Sequence, residues 1–252
     1  MTRRWRLHQW ALRYHWNYPP PAAGCIGKWL SWPMIQWTYL KSRNFDLFPY
    51  EGQGRLLDYG CGSGGYLSQM HDRGWHVTGM DMSTNGIEIC RQRGFEAYVG
   101  SSPREQFDPE TFDVVTMWHV LEHVPSPTDT LEQLRTILKP HGKLVIGIPN
   151  IGCLTAQWFG NCWFALDLPR HLTHFGKKTV TKMLDKTGFE VEKIRAQNHG
   201  QTTQPSLRYL TREKDCRWCR FLSRYKRIGY VARLLTRLKG EPEMIVVHAR
   251  KV

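Results

Sequence analysis

The sequence lacks any run of about 18 uninterrupted apolar residues, which argues against a helix that spans a membrane. It also lacks an apolar stretch behind the arginines at its N-terminus, where a secretory signal peptide would carry one. Its seven cysteines are odd in number and scattered over 252 residues, so a disulfide framework is not expected. Taken together, these absences predict a soluble protein in a reducing cytoplasm.

Acidic residues are missing from the chain before Asp46, and this first part is instead basic and rich in tryptophan. Over the whole chain, 35 Lys and Arg residues stand against 22 Asp and Glu residues, which gives a net charge of +13. A charge of this size indicates an anionic partner, such as nucleic acid, a membrane surface or a phosphorylated substrate. We interpret residues 1–52 as a basic N-terminal helical extension or lid.

From residue 54 onward, short apolar runs alternate with helical patterns. The runs "RLLDY", "HVTGMD", "EAYVG", "FDVVTM" and "KLVIGIP" are typical of strands, and amphipathic segments with glycine or serine at their ends lie between them. Strands and helices that alternate at this spacing indicate a parallel sheet covered by helices on both faces. We therefore predict an α/β protein with a Rossmann-like fold.

A glycine-rich turn follows the first predicted strand, in "LLDYGCGSGGYL". Gly60, Gly62 and Gly65 satisfy G-x-G-x-x-G, a pattern that lets a ligand approach the backbone and the N-terminus of the next helix. Asp81 ends the second predicted strand, where a carboxylate accepts hydrogen bonds from both hydroxyls of a ribose. The two features predict a cofactor that contains adenosine.

Asp58 distinguishes between two cofactors of this kind, because it lies two residues before Gly60 at the end of the first strand. Its carboxylate would repel the pyrophosphate of NAD, whereas it would attract the sulfonium and α-amino groups of S-adenosylmethionine. The sequence therefore favours S-adenosylmethionine, and an NAD-dependent oxidoreductase is the less favoured alternative.

Five segments, in this order, resemble the class I S-adenosylmethionine-dependent methyltransferases: "GRLLDYGCGSGGYL", "GWHVTGMDMS", "FDVVTMWHVLEHV", "ILKPHGKLVIGIPN" and "LDLPRHLTHF". The chain is most similar to the subgroup related to ubiquinone-biosynthesis O-methyltransferases and to methyltransferases of sugar and polysaccharide pathways. The resemblance implies a seven-stranded, mostly parallel sheet that ends in an antiparallel β-hairpin. It also implies one methyltransferase domain over 53–252, with a substrate-side loop at 151–177 and a basic helical insertion at 198–240.

The same resemblance implies roles for individual residues. The glycine turn and Asp58 would line the methionine end of the cofactor, and Asp81 would hold its ribose. Either Ser101 or Ser102 stands where the family often has an acid near the adenine amino group. The full set of predicted cofactor-binding residues is Asp58, Gly60, Cys61, Gly62, Asp81, Met82, Ser101, Trp118 and His119.

The segment "MWHVLEHV" carries His119, Glu122 and His123 in the order H-x-x-E-H, which inverzincin zinc proteases also show. Pro125 follows two residues later and the fourth strand ends near Met117, so too little chain remains for the helix that such a site needs. The resemblance implies instead that the segment is the turn after the fourth strand, above a methyl-transfer pocket. No metal is predicted, and Glu122 and His123 are retained as alternative ligands of a divalent cation.

A structural zinc site is a second alternative, formed by His171, His174, Cys216 and Cys219. Two histidines and two cysteines are a common zinc ligand set. The two pairs are far apart in the sequence, however, and a single C-x-x-C in a basic helical segment is weak evidence for a metal.

The segment "CWFALDLPRHLTHF" crosses the mouth of the pocket in the resembling subgroup, and Arg170 and His171 are therefore predicted to contact the acceptor. We predict that one of His119, His123, His171 and His174 takes the proton from an acceptor hydroxyl as the methyl group arrives. Imidazole suits this task because it accepts protons near neutral pH. The alternative is that these histidines only pack or orient the loop.

Residues 207–239 contain eleven Lys and Arg residues, with apolar residues at helical spacing, and are predicted to form a basic amphipathic helix. This helix packs on its own domain or lies on anionic lipid, in which case the acceptor is lipid-linked, such as a quinone precursor or an undecaprenyl-bound sugar. Binding of nucleic acid through the basic flanks is a further alternative.

The function predicted from the sequence is methyl transfer from S-adenosylmethionine to an oxygen of a small or lipid-linked acceptor, with S-adenosylhomocysteine as product. An RNA methyltransferase and a non-catalytic binding protein on the same fold are the alternatives. The predicted location is the cytoplasm, with peripheral contact with the inner membrane surface as an alternative. The oligomeric state is left open.

Overall fold

The computed structural model describes residues 18, 48–197, 202–214, 231–232, 234–236, 239 and 241–252. The chain divides into two compact units, Met1–Val99 and Gly100–Val252. Among the described residues, no helix combines the length and the apolar character needed to cross a bilayer.

Three parallel strands form the sheet of the first unit, in the order β3-β2-β1. Each predicted strand of this region is confirmed, and a helix connects each strand to the next. The elements are β1 (Arg55–Tyr59), α1 (Gly65–His71), β2 (His76–Asp81), α2 (Thr84–Gln92) and β3 (Glu96–Val99).

Local sequence explains where these elements begin and what they bury. The Ser83 hydroxyl accepts a hydrogen bond from the backbone N–H of Gly86 at 3.1 Å, so Ser83 is the N-cap of α2. Leu57 of β1, Leu67 of α1 and Ile87 of α2 are fully buried. Burial of these side chains against the strands holds both helices on the sheet.

An aromatic cluster lies at the end of the first unit opposite the glycine turn. Trp75, which immediately precedes β2, makes edge-on contacts with Tyr18 and Phe48 and a tilted contact with Tyr50. Burial raises the pKa of Tyr18 to about 12. Tyr18 and the residues from Phe48 onward are the described part of the predicted N-terminal extension, and its other residues lie outside the described part of the chain.

Four strands form the sheet of the second unit, in the order β4-β5-β7-β6. Strands β4 and β5 are parallel, whereas β7 pairs antiparallel with both β5 and β6. The strands are β4 (Phe112–Trp118), β5 (Leu138–Pro149), β6 (Phe189–Gln197) and β7 (Met244–Lys251). Two helices, α3 (Pro103–Gln106) and α4 (Pro127–Ile137), precede β4 and β5.

Among the described residues, the first unit has three strands and the second has four, which are mostly parallel and include a C-terminal antiparallel strand pair. The predicted fold class is therefore confirmed. Helix α4 buries Leu131 and Leu134 completely, because residues three apart share a helix face.

The substrate-side segment at 151–177 contains more helix than its designation as a loop implies. It forms α5 (Leu154–Phe159) and two short 3-10 helices, Gly160–Cys162 and Phe164–Leu166. Buried Trp163 packs with Cys153 and Ala156 in a small core of its own. This local burial orders a stretch that has neither strand nor helix periodicity.

Helix α6 (Lys177–Lys186) leads into β6, and helix α7 (Thr203–Lys214) follows it. Helix α7 covers the beginning of the predicted basic amphipathic helix and starts before it. Most of that predicted helix, together with Cys216 and Cys219, lies outside the described residues, so the zinc site that combines these cysteines with His171 and His174 stays a hypothesis.

Candidate functional site

The glycine turn between β1 and α1 exposes its backbone. Gly60, Gly62 and Gly64 have φ values of 83°, 52° and 79°, in the left-handed region that glycine adopts without strain. Apart from the adjoining residues of the chain, the described residues place no heavy atom within 4 Å of the position that a Cβ would take on Gly62 or Gly65. A ligand can therefore reach the backbone here, as the cofactor prediction requires.

The turn is anchored on the second strand. The backbone N–H groups of Gly60 and Cys61 donate to the carbonyl oxygen of Met80 at 2.7 and 3.2 Å. The N–H of Gly62 donates to Oδ2 of Asp81 at 2.8 Å, and the N–H of Ser83 donates to Oδ1 at 2.7 Å. These bonds fix the orientation of the Asp81 carboxylate at the carboxyl end of β2.

Asp81 remains able to hold a ribose, because each carboxylate oxygen accepts one backbone hydrogen bond and has a further lone pair. Its neighbour Met82 is 75% exposed, so its side chain is free to cover an adenine ring. Asp58 is buried on β1 and, after burial itself, its negative charge is the largest cause of the raised pKa of the Cys61 thiol. A negative potential beside the turn favours a cationic ligand. This agrees with the prediction that Asp58 attracts the sulfonium group of S-adenosylmethionine.

Three residues of the predicted cofactor set lie in the second unit, namely Ser101, Trp118 and His119. Ser101 is exposed, whereas the hydroxyl of its neighbour Ser102 donates to Oε1 of Gln133 at 3.0 Å. Trp118 ends β4 and packs on Gly147, where a Cβ would lie only 2.5 Å from the indole ring. The contacts of Ser101, Trp118 and His119 with a cofactor remain predictions.

The segment after β4 is a turn and not a helix, as the sequence predicted from Pro125, and this excludes the helical zinc-protease geometry. His119 has a φ of 56°, which is strained for a residue with a side chain. Its backbone N–H donates to the carbonyl of Gly147 at 2.9 Å, and its Nδ1 lies 3.3 Å from Oε1 of Glu122. The strained turn thus holds the half-exposed imidazole of His119 against the buried carboxylate of Glu122.

Glu122 joins the turn to the substrate-side segment. Its carbonyl oxygen accepts hydrogen bonds from the N–H groups of Leu172 and Thr173 at 2.8 and 3.2 Å. Its side chain is 2% exposed, and Oε2 has no hydrogen-bond partner among the described residues. A buried carboxylate oxygen without a partner is costly to a folded protein, which indicates a functional reason for keeping it.

The imidazoles of His123 and His171 lie beside this carboxylate, with their ring centroids 4.7 Å apart. Nδ1 of His123 is 2.9 Å from the carbonyl oxygen of Arg170, and Nδ1 of His171 is 2.8 Å from that of Ala165. A carbonyl only accepts hydrogen bonds, so both rings donate from Nδ1, and in the neutral form of each ring the lone pair is on Nε2.

One ligand atom each from Glu122, His123 and His171 lies within 4.8 Å of the other two. Imidazole nitrogens whose other N–H is held by a carbonyl, together with a carboxylate, are typical ligands of a divalent transition-metal ion. The unpartnered Oε2 of Glu122 is an observation that fits such an ion. We refer to Glu122, His123 and His171 as the acceptor cluster.

The other predicted substrate-side residues surround this cluster. Arg170 forms an ion pair with Asp167 at 2.6 Å, and Nε2 of His171 is 3.8 Å from the same carboxylate oxygen. His174 donates from Nε2 to the carbonyl of Leu166 at 2.9 Å, with its ring centroid 6.2 Å from that of His171. His174 therefore orients the segment, whereas its role in proton transfer remains a prediction.

The structure brings together four residues that the sequence singled out separately: His119, Glu122, His123 and His171. Sequence reasoning kept Glu122 and His123 as alternative metal ligands but did not add His171 to them. The two parts are 48 residues apart, between His123 and His171, and no spacing rule connects them. The sequence feature that could have pointed to His171 as a further ligand is the high density of histidine in "LPRHLTHF".

Comparison with known proteins agrees with the resemblance to methyltransferases that the sequence motifs show. A family model described as a methyltransferase domain matches residues 36–194. A ubiquinone biosynthesis O-methyltransferase from Aeromonas salmonicida is 36% identical over 103 residues, which are 38% of this chain and 43% of that protein. Another, from Saccharophagus degradans, is 31% identical over 125 residues, covering 47% and 53%. The chain spans about half the length of the curated relatives it matches.

Solved structures share the fold. A protein from Thermotoga maritima, described as an S-adenosylmethionine-dependent methyltransferase and a possible histamine N-methyltransferase, gives a TM-score of 0.57 at 20% identity, over 80% of this chain and 84% of that one. An S-adenosylmethionine-dependent methyltransferase from Archaeoglobus fulgidus gives 0.56 at 19% identity, over 87% and 94%. At such identities the likeness shows the fold alone.

Proposed function

We propose that this chain, which belongs to the methyltransferase-domain family, transfers the methyl group of S-adenosylmethionine to a hydroxyl oxygen of a small or lipid-linked acceptor. The observation that carries the proposal is the acceptor cluster, in which a buried carboxylate and two imidazoles gather three proton-accepting groups. An acceptor oxygen must lose its proton as it gains the methyl group, so basic side chains beside it assist the transfer.

The cofactor side of the proposal rests on the first unit. Gly62 and Gly65 leave the backbone of the turn open to the methionine part of the ligand, and Asp81 has free lone pairs for the ribose hydroxyls. The bound cofactor supplies an electrophilic methyl group on a positively charged sulfur. The buried Asp58 favours that positive charge electrostatically.

The acceptor side rests on the second unit. As the bond between the acceptor oxygen and the methyl carbon forms and the carbon–sulfur bond breaks, the hydroxyl proton passes to the acceptor cluster. Glu122 holds a free oxygen for it, and Nε2 of His123 and of His171 each keep a lone pair. His119 orients the carboxylate of Glu122 through its contact with Oε1.

The same three residues fit a divalent cation, since they offer one oxygen and two nitrogen atoms at close range. Bound there, a cation would lower the pKa of an acceptor hydroxyl by polarising its oxygen. Glu122, His123 and His171 would hold the ion, and the backbone carbonyls of Arg170 and Ala165 would keep both imidazoles in the ligating tautomer.

Two exposed leucines next to the cluster support a lipid-linked acceptor. Leu168 is 70% exposed and Leu172 is 55% exposed, and Arg170, which lies between them in the sequence, also has an exposed side chain. An exposed apolar pair around a cation suits the boundary between lipid headgroups and acyl chains. The names of the relatives favour a hydroxylated quinone precursor as the acceptor.

Flotation with vesicles tests this membrane contact. We expect the protein to float with vesicles that contain phosphatidylglycerol and to stay at the bottom with pure phosphatidylcholine, because the chain carries a charge of +13. Replacing both Leu168 and Leu172 with serine should reduce the floating fraction, while serine at Leu210 in α7, outside the pair, serves as the control. Equal flotation with both lipids would contradict an anionic membrane partner.

Calorimetry with S-adenosylhomocysteine tests the proposed function itself. We expect one equivalent to bind, because the turn and Asp81 are arranged for an adenosine cofactor. A protein that is folded by circular dichroism yet binds none would reject the methyltransferase and leave a binding protein on the same fold. Binding combined with methyl transfer to RNA, and none to a catechol, would redirect the proposal to a nucleic-acid acceptor.

A further inference from the structure

Two free cysteines lie on either side of Gly62, the central residue of the glycine turn. Cys61 is part of the turn, and Cys90 lies in the last turn of α2; both are buried. The sulfur of Cys90 is 3.5 Å from the carbonyl oxygen of Gly62, and the sulfur of Cys61 is 3.8 Å from the same oxygen. Both distances are within the range of a weak thiol hydrogen bond.

The packing around these sulfurs is tight. A Cβ on Gly64 would lie 2.9 Å from the sulfur of Cys90, and one on Gly79 would lie 2.7 Å from the sulfur of Cys61. A Cβ on Gly86 would lie 2.7 Å from the carbonyl oxygen of Gly62. The turn, β2 and α2 therefore meet around the two thiols with no room for another atom.

Both thiols keep their protons at neutral pH. Burial raises the pKa of Cys61 and of Cys90, and the negative charges of Asp58 and Asp81 raise both further. Two neighbouring groups lower the pKa of Cys90, namely the Cys61 thiol and Arg93, but the net direction is upward. A protonated thiol is a donor, so each sulfur can donate to the carbonyl of Gly62.

The peptide groups on both sides of Gly62 are thus held. Its N–H donates to Oδ2 of Asp81 at 2.8 Å, while its carbonyl faces the S–H of Cys90. If the carbonyl loses this donor, the turn gains freedom to rotate about Gly62, and the N–H then leaves the carboxylate. Asp81 would in turn lose part of the contact that fixes its orientation.

We propose that Cys90, supported by Cys61, is a positioning residue that fixes Gly62 and, through it, the orientation of the Asp81 carboxylate for the cofactor. This inference rests on the proposed function. It assigns to a residue of α2, which does not touch the ligand, a specific effect on cofactor affinity. The rate of methyl transfer at saturating cofactor does not depend on it.

Calorimetry of three variants tests the proposal. We expect Cys90→Ala to weaken S-adenosylhomocysteine binding about fivefold, the effect of losing roughly one hydrogen bond. Cys90→Ser keeps a donor and should bind within about twofold of wild type. Cys162→Ala is the matched control, because Cys162 is also a buried free thiol but lies in the second unit.

Steady-state kinetics with a catechol acceptor, together with thermal melting, distinguish a positioning role of Cys90 from a merely structural one. The KM for S-adenosylmethionine should rise in Cys90→Ala by the same factor as the dissociation constant, with kcat unchanged within about twofold. If Cys90→Ala and Cys162→Ala melt equally early yet bind S-adenosylhomocysteine like wild type, the proposal is overturned.

Alkylation of the thiols provides a readout that does not depend on mutation. Cys61 and Cys90 react only when the turn opens, so S-adenosylhomocysteine at about 100 times its dissociation constant should slow their labelling by a maleimide at least about tenfold. Labelling of Cys162 should change much less. Equal slowing at all three cysteines overturns the inference. If the wild-type protein binds no S-adenosylhomocysteine, the proposed function is wrong, and the inference about Cys90 is rejected together with it.

Discussion

Replacement of Glu122 by glutamine is expected to lower kcat for methyl transfer to a catechol by about a hundredfold or more, the range found when a general base or a cation ligand is lost. Glutamine preserves the volume of the buried side chain but removes the negative charge and places an amide where Oε2 has no partner. The dissociation constant for S-adenosylhomocysteine should stay within about twofold of wild type, since Glu122 belongs to the acceptor side.

The measurement is the rate of S-adenosylhomocysteine release with a catechol as acceptor. Glu132→Gln, on the exposed face of α4, is the matched control and should retain the wild-type rate. A rate for Glu122→Gln close to that of Glu132→Gln would remove Glu122 from the mechanism. Transfer would then rest on the proximity and orientation of the two substrates alone.

A titration with Co²⁺ separates the two ways in which Glu122 can act. If the acceptor cluster holds a cation, wild type binds one equivalent with a visible absorption band of cobalt bound to nitrogen and oxygen, and Glu122→Gln weakens this binding about a hundredfold. His171→Ala should weaken it as well, because His171 supplies one of the three ligands. A wild-type protein that binds no Co²⁺ shows that the cluster acts as a proton acceptor without a metal.

Replacement of Asp81 by asparagine is expected to weaken S-adenosylhomocysteine binding by roughly 10- to 100-fold, because hydrogen bonds to a charged acceptor contribute about 1.5–3 kcal/mol. Two backbone N–H groups, from Gly62 and Ser83, donate to the two oxygens of this carboxylate. Asparagine has one acceptor oxygen and one donor amide, so one N–H meets another donor. The change therefore disturbs both the ribose contact and the turn.

Calorimetry measures this effect without an acceptor, so the result does not depend on the identity of the substrate. Asp72→Asn, at the C-terminal end of α1, removes the same charge elsewhere on the first unit and serves as the control. We expect its affinity to remain within about twofold of wild type. Equal affinities for Asp81→Asn and Asp72→Asn would refute the assignment of Asp81 to the cofactor ribose.

The strands and the glycine turn were predictable from the sequence because their causes are local. Apolar runs of strand length fixed β1, β2 and β4 almost to the residue, and Ser83 marked the start of α2 by its capping side chain. Pro125 likewise predicted a turn after β4, which argues against the zinc-protease interpretation from the sequence alone.

The substrate-side segment was less predictable because its order comes from packing. Residues 151–177 show no clear periodicity, yet α5 and two 3-10 helices form there around buried Trp163. A short helix is marginal by itself and becomes stable when it buries an apolar face. The sequence alone does not reveal which apolar partners it will meet.

By itself, the sequence determined the α/β pattern, the cofactor turn and the residue types available for chemistry, since each depends on neighbours within a few positions of the chain. Only the tertiary structure decided that His171 joins Glu122 and His123, and that the thiol of Cys90 faces Gly62. These contacts join residues far apart in sequence. Their distances depend on how whole elements pack and on which backbone carbonyls orient each ring, and no local pattern encodes either.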